Sequence, residues 1–345
     1  EERTLRILAG SPSQSDEKTV GVVYNSIFQT VAIRRPFLDA QISLNGNSGD
    51  KIANPGGREV RGYISWKNNL PTRVTDAEID IKFSGNALDR ASVSSQNGFY
   101  NSSENTIVWN KNSIPDLRTI EPGATGQFPF SFTPIPLFQA ASGLLKNPEI
   151  NLQVTVKGDV NTSDGSGGAM SVTTQKGVRV SSDLQLLSRA VYFTGPFTNT
   201  GPIPPVADKE TTYAVLWSVT NSANDVTGAT ITTTLPPYVS WANQVSPGAE
   251  DISYDDASRA VTWRPSSVGA GTGYQNPARE AAFQIKLVPS LSHVGSSVGL
   301  TGGVSLFGTD SFSGERLQNT KDALTTLLNS DPYFKSGNDI VQSSK

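Results

Sequence analysis

Glu78-Ile-Asp-Ile-Lys-Phe83 and Gln127-Phe-Pro-Phe-Ser-Phe132 decide the fold class. In both runs every second residue is apolar: Ile79, Ile81 and Phe83 in one, Phe128, Phe130 and Phe132 in the other. A period of two puts those side chains on one face of an extended strand, leaving the opposite face for water. Asn151-Leu-Gln-Val-Thr-Val156 and Ala282-Phe-Gln-Ile-Lys-Leu287 follow the same rule. Half-buried strands of this kind belong to antiparallel sheets packed face to face. Turn signals fall between them at Asn97-Gly98, Pro122-Gly123, Pro247-Gly248 and Gly302-Gly303. Ile252-Ser-Tyr254 and Ala260-Val-Thr-Trp263, joined by a short polar turn, read as a hairpin. Helix is scarce. Leu137 to Lys146 can form one short helix. Leu317, Leu324 and Leu328 have helical spacing, yet they occupy the repeat position of Val172–Val180, so a strand is expected there.

That repeat organises the chain. Gln41-Ile-Ser-Leu-Asn-Gly46 resembles Ala190-Val-Tyr-Phe-Thr-Gly195, Tyr63-Ile-Ser-Trp66 resembles Tyr213-Ala-Val-Leu-Trp217, and Val74-Thr-Asp-Ala77 resembles Val226-Thr-Gly-Ala229. Thr106-Ile-Val-Trp109 pairs with Ala260-Val-Thr-Trp263, Phe130 with Phe283, and Lys157-Gly-Asp159 with Phe307-Gly-Thr-Asp310. The matches keep one order at a nearly constant offset (63 to 213, 74 to 226, 109 to 263), which reads as a tandem duplication. The expected organisation is an N-terminal extended segment 1–37, a first domain 38–184, a second domain 185–331 and a C-terminal tail 332–345. Trp109 and Trp263 end apolar strands and are expected to fill the space between sheets.

Composition narrows the function. Lys+Arg is 28 against Asp+Glu 31, a net charge of −3, which argues against a nucleic-acid partner. With no cysteine there is no disulfide framework and no thiolate site, and a single histidine excludes a His-pair metal site within one chain. Charged residues are 17%, with Gly 31 and Pro 21, a mixture suited to short strands and many turns. No apolar run reaches the about 18 residues of a membrane-spanning helix. The sequence starts at Glu1, so a processed product is expected, with any signal or membrane anchor outside this chain.

The second repeat carries the more telling text. Thr212-Tyr-Ala-Val-Leu-Trp217 with Asn221 gives T-Y-x-V-x-W-x-x-x-N, followed by Thr234-Leu-Pro-Pro-Tyr238, Ala260-Val-Thr-Trp263 and Ala270-Gly-Thr-Gly273. This resembles the conserved-repeat, Ig-like β-sandwich domains of bacterial and archaeal surface proteins, closest to predicted membrane-anchored ectodomains of uncultivated bacteria. The likeness covers 185–331, and reaches 38–184 only through the internal repeat. It implies fold and an exported, cell-surface location. It carries over no active site, because its motifs are structural.

His293, in Ser290-Leu-Ser-His293, has no nucleophile elbow near it and reads as a loop histidine. Asp159, Asn161 and Asp164 form an oxygen-rich run, but it is out of register with a calcium loop and lacks the closing Glu. Asp255 and Asp256, beside Glu250 and Asp251, are a second weak calcium candidate, more simply a solvated turn. A paired-carboxylate glycosidase lacks an aromatic-rich cleft signature. Asn101-Ser-Ser103 and Asn161-Thr-Ser163 fit the glycosylation sequon, a triplet that chance supplies in so Ser-rich a chain.

The N-terminal segment is the sharpest candidate. Val20, Val22 and Tyr24 make one apolar face, with Val31 and Ile33 expected on a following strand. Such strands must pack on the first domain or pair with another chain, since an orphan strand can add to a neighbour's sheet edge. The expectation is therefore an all-β protein of two tandem Ig-like antiparallel sandwiches with an N-terminal β extension, not an enzyme, with no cofactor beyond a weak calcium candidate. Its expected role is that of an extracellular structural or filament protein whose partners are copies of itself. The alternative is an adhesin presenting loops to a host, a cell, another surface protein or a glycan.

Overall fold

The computed structural model describes residues 2–13, 19–32, 38–137, 143–160 and 168–344. Among them helix is confined to two 3-10 turns, Pro115–Arg118 and Leu291–His293. Everything else that is regular is strand. The chain begins with β1 (Glu2–Pro12) and β2 (Val20–Ala32). A first group follows: β3 (Leu38–Leu44), β4 (Lys51–Pro55), β5 (Val60–Asn68), β6 (Val74–Gly85), β7 (Leu88–Ser95), β8 (Phe99–Asn101), β9 (Thr106–Trp109), β10 (Thr119–Ile120), β11 (Thr125–Pro134), β12 (Glu149–Val160) and β13 (Gly168–Ser181). The second group is β14 (Leu184–Val191), β15 (Thr211–Asn221), β16 (Val226–Thr234), β17 (Val239–Ser246), β18 (Asp251–Asp255), β19 (Ala260–Arg264), β20 (Arg279–Leu287), β21 (Val304–Asp310) and β22 (Arg316–Lys321).

Each group forms two sheets packed face to face. The first has β3-β5-β11-β7 against β4-β13-β12-β6-β9-β8, with β10 also on β6. The second has β14-β15-β20-β17 against β18-β19-β16-β21-β22. Strand for strand the orders coincide: β3, β5, β11 and β7 stand where β14, β15, β20 and β17 stand, and β8, β9, β6, β12 and β13 where β18, β19, β16, β21 and β22 do. All the pairings are antiparallel except that of β4 with β13. The alternating runs read from the sequence are β6, β11, β12 and β20, with their apolar residues inward. Each fully buried large side chain, such as Phe83, Phe132 or Phe283, contributes roughly 1.5–3 kcal/mol by leaving water.

Buried apolar residues fall into two clusters. One runs from Leu38 to Val180 and takes in Ala223; the other runs from Leu184 to Val341. The segment expected as a C-terminal tail is tied to the second core through residues 340–342. Val341 is buried in the second core, and Ile340 and Gln342 bridge to Ser297 and Val206. Of the expected helix at Leu137–Lys146, residues 138–142 lie outside the described residues, and the flanking residues are not helical. The leucine-spaced run at Leu317 begins as β22, an edge strand, as the repeat implied.

Register refines the duplication. Asn68 and Asn221 are both buried, each closing the end of its strand with the side-chain amide. Asn68 Nδ2 donates to the carbonyls of Thr72, Ile120 and Glu121; Asn221 Nδ2 donates to those of Asn224, Val268 and Gly269. Trp109 and Trp263 are equivalent: both are fully buried, opposite Ile79 and Ile231. Gly158 and Gly308 are equivalent too. A Cβ on either would lie 2.5 Å from a methyl of Val74 or Val226, so only glycine fits beside the bulge each strand makes there.

Trp66 and Trp217, matched by sequence, are not equivalent. Trp66 stands two residues before Asn68, Trp217 four before Asn221. An even shift keeps both facing inward. The register counterpart of Trp217 is Ile64. Ile64 is paired with Phe128 across the strands, and Trp217 with Ala281. One half stacks Phe128 on Trp109 (5.4 Å, 13°); the other stacks Trp217 on Trp263 (6.4 Å, 16°). The same slot against the equivalent tryptophan is filled from neighbouring strands, with bulk traded across one pair.

Tyr213 is buried in the second core, edge-on to Tyr192 at 5.9 Å. Its hydroxyl has no hydrogen-bond partner among the described residues, and burial pushes its pKa up. An unpaired buried hydroxyl costs stability. Tyr213→Phe is therefore expected to leave the fold unchanged and to hold or raise stability, by up to about 1 kcal/mol, in thermal melts.

Candidate functional site

β1 and β2 form a sheet of their own. They pair antiparallel from Glu2↔Ala32 to Pro12↔Val20, with slips between Ala9 and Gly10 and between Ser11 and Pro12. Gly10 permits the first slip: a Cβ there would sit 1.8 Å from the Val22 carbonyl oxygen. One face carries Leu5, Ile7 and Ile27, with Ile7 opposite Ile27. The other carries Leu8, Ser26 and Arg6, whose guanidinium lies 5.6 Å over the Phe28 ring. No residue of either strand belongs to the two cores, and the apolar side chains stand in solvent, with Tyr24 74%, Phe28 63% and Ile27 60% exposed.

Of the residues singled out here by sequence, Val20, Val22 and Tyr24 are exposed on β2. Val31 is not on a separate strand: β2 continues unbroken to Ala32, and Val31 pairs with Arg3. Ile33 lies outside the described residues. The partner strand is instead β1, with Leu5, Ile7 and Leu8. Arg3-Thr-Leu-Arg-Ile-Leu8 lacks strict alternation, because a free-standing hairpin has no buried face to impose it. The signal available was the second β-prone run across a polar stretch.

The calcium candidates do not converge. Asp159 lies on β12 opposite Ala169; Asn161 and Asp164 lie outside the described residues. The Asp255 carboxylate accepts hydrogen bonds from Ser258 Oγ, Ser258 N and Ala257 N. These hold its pKa below the ordinary aspartate value and commit it to its own turn. Asp256 is exposed beside it. Glu250 accepts from Trp263 Nε1 at 2.8 Å and pairs with Arg279 at 2.6 Å. Among the described residues no group of three His, Cys, Asp or Glu side chains could hold a metal. His293 Nδ1 accepts the Ser290 amide at 3.2 Å, and the ring rests edge-on against Tyr238 at 4.5 Å. Lys176 is buried, and desolvation lowers its pKa, but its ammonium donates to the carbonyls of Ile42 (3.0 Å) and Asn47 (2.6 Å), which locks the β3–β4 turn.

The surface of the described residues also carries open concavities, two of which bear on the argument. One, of about 630 Å³, lies beside β5, β11 and β7, bordered by Arg61, Tyr63 and Pro129. The other, of about 400 Å³, lies where the two halves meet, between β22 and the ends of β4 and β13. None of the described helices is long and apolar enough to cross a membrane.

No family model matches the chain. No curated protein matches it either. Among solved structures, the C-terminal domain of the Streptococcus pyogenes antigen I/II-family protein AspA aligns over 84% of this chain and 99% of its own at 10% identity, with a TM-score of 0.32. The Streptococcus agalactiae antigen I/II polypeptide BspA C-terminal domain aligns over 84% and 99% at 10% identity and a TM-score of 0.28. A cohesin module from a Clostridium perfringens family 33 glycoside hydrolase covers 42% of this chain and 98% of its own, at 15% identity and a TM-score of 0.24. At such scores nothing about those proteins transfers to this one.

Proposed function

We propose that this chain is a structural module of a cell-surface or extracellular assembly, two tandem Ig-like sandwiches whose copies associate through the N-terminal hairpin. The observation that carries the reading is the β1–β2 sheet itself. A two-stranded sheet is marginal in water, and this one leaves its apolar residues uncovered by the body. Such a sheet is stabilised when a second surface covers it, and other copies of the chain supply surfaces at fixed concentration. Export agrees with the sequence resemblance to surface-protein repeats.

The test uses the full chain. Ile7→Lys with Ile27→Lys places two charges on one face of the hairpin, at a cross-strand pair outside both cores. The unaltered chain is expected to sediment as concentration-dependent assemblies, visible by electron microscopy. The double variant is expected to stay monomeric with an unchanged melting temperature. Assemblies of equal size from both proteins would refute the proposal. The adhesin reading rests on the 630 Å³ groove with Tyr63; it predicts a monomer at every concentration that binds a glycan or surface protein, with binding lost in Tyr63→Ala.

A further inference from the structure

The two halves part company at one sheet edge. In the first half the edge of β13 is covered by β4, paired in parallel from Gly177↔Lys51 to Ser181↔Pro55. In the second half the corresponding strand, β22, is the last of its sheet. The segment after β14, which occupies the chain position of β4, is drawn elsewhere. The Asp331 carboxylate accepts the amides of Tyr192 and Phe193, both at 2.8 Å, and Val206 bridges to Gln342. Pro196, Pro202, Pro204 and Pro205 in that segment have no amide to give to a ladder. Among the described residues, β22 is left with an unpaired edge.

Beside that edge lies the 400 Å³ groove, lined by Leu317 and Asn319 of β22, Ser181 and Asp183 of the junction, Glu315 and Arg58. Three buried polar atoms on these residues, Ser181 Oγ, Glu315 Oε2 and Asn319 Oδ1, have no hydrogen-bond partner among the described residues. Ser181 is itself only 1% exposed. A carboxylate oxygen and an amide oxygen can only accept, so the partner they lack is a donor. A strand laid along β22 supplies donors at regular spacing.

We infer that the edge of β22 receives one extended strand, and that the strand is β1 of a second copy. The inference rests on the hairpin-mediated assembly proposed above and names its receiving surface. Three observations select β1. Its inner edge is taken by β2, and its outer edge is free among the described residues. It carries Arg6, whereas residues 20–32 contain no charge; the groove sets Asp183 and Glu315 against the single Arg58. Finally, Arg6-Ile7-Leu8 repeats the basic–apolar–apolar order of Lys51-Ile52-Ala53, the segment that fills the equivalent place in the first half.

The chain has no cysteine, so introduced thiols report without background. Thr4→Cys and Leu8→Cys, on one face of β1, are each mixed in full-length form with Gln318→Cys on β22, and with Ser253→Cys on β18 at the opposite edge of the same sheet. Mild oxidation is expected to link position 4 or 8 to 318 between copies, and neither to 253. Arg6→Glu is expected to weaken association about tenfold in sedimentation while leaving the melting temperature unchanged. Assembly with no link to 318, or with equal links to 253, overturns the β22 assignment and leaves hairpin-mediated assembly standing. A chain that is monomeric throughout overturns both.

Discussion

Asp310→Ala is expected to destabilise the protein by about 3–5 kcal/mol, the largest effect of any single polar substitution proposed here. Asp310 is fully buried at the junction of the two halves, at the register position that Val160 holds in the first half. Its Oδ2 accepts Ser182 N at 2.8 Å and Asn224 Nδ2 at 3.0 Å; its Oδ1 accepts Phe312 N at 2.9 Å and Ser313 N at 2.8 Å. Removing the carboxylate strands four donors out of water. Around it, Ser182 Oγ accepts the Asn224 amide, Asn224 Nδ2 reaches the Val180 carbonyl at 3.0 Å, and Arg179 donates to Phe312 O at 2.7 Å. The connection between the halves is thus a buried polar clamp rather than a free linker.

The same residue sets an acid dependence. Burial alone would raise the Asp310 pKa, but the hydrogen bonds from Asn224, Ser313 and Ser182 outweigh it and hold it below the ordinary aspartate value. A carboxylate whose pKa is lowered by folding stabilises the folded state at pH above its unfolded pKa of about 4, and that contribution fades as pH falls through the lower folded value. Urea denaturation should therefore show the full gap between the parent and Asp310→Ala at pH 7, and a narrowing gap below about pH 4. A gap that stayed constant down to pH 2 would show that the carboxylate's charge is not what the site uses.

Trp217→Ile is expected to cost about 2–4 kcal/mol, and adding Ala281→Phe is expected to restore most of it. Trp217 is buried against Trp263 and Phe283, so its truncation opens a cavity that the surrounding sheets cannot close. The double variant copies the pair that the first half uses at this position, Ile64 opposite Phe128. Denaturant midpoints of the parent, single and double variants form the comparison. If the double variant is no more stable than the single, the two halves do not share the register inferred from Asn68 and Asn221.

Much of the architecture could be read without coordinates because strand alternation is local. Phe128, Phe130 and Phe132 need only their immediate neighbours to declare a buried face, and Trp109, Trp263, Gly158 and Gly308 mark equivalent places in both halves. What depends on pairing across long stretches could not be read in this way. Trp66 and Trp217 look like counterparts in the one-dimensional text, yet the ladders place them two residues apart. β1 is not legible in the sequence because a hairpin outside both cores carries no inside–outside pattern. The parallel seat of β4, the burial of Val341 and the Ser182 and Asn224 donors to Asp310 each join segments far apart in the chain.

By itself, then, the order of residues determined that this protein is built of strands, that aromatics such as Phe83, Phe132, Trp109 and Trp263 go inward and that one pattern of strands recurs in it, since each follows from local periodicity and hydrophobic burial. Only the tertiary structure decided where the doubling is imperfect: an edge of β22 left open where β13 is covered, a carboxylate in place of a valine at the junction, and a hairpin standing outside both cores. Those choices rest on which distant backbone groups find partners, a matter of three-dimensional pairing that no local run of residues encodes.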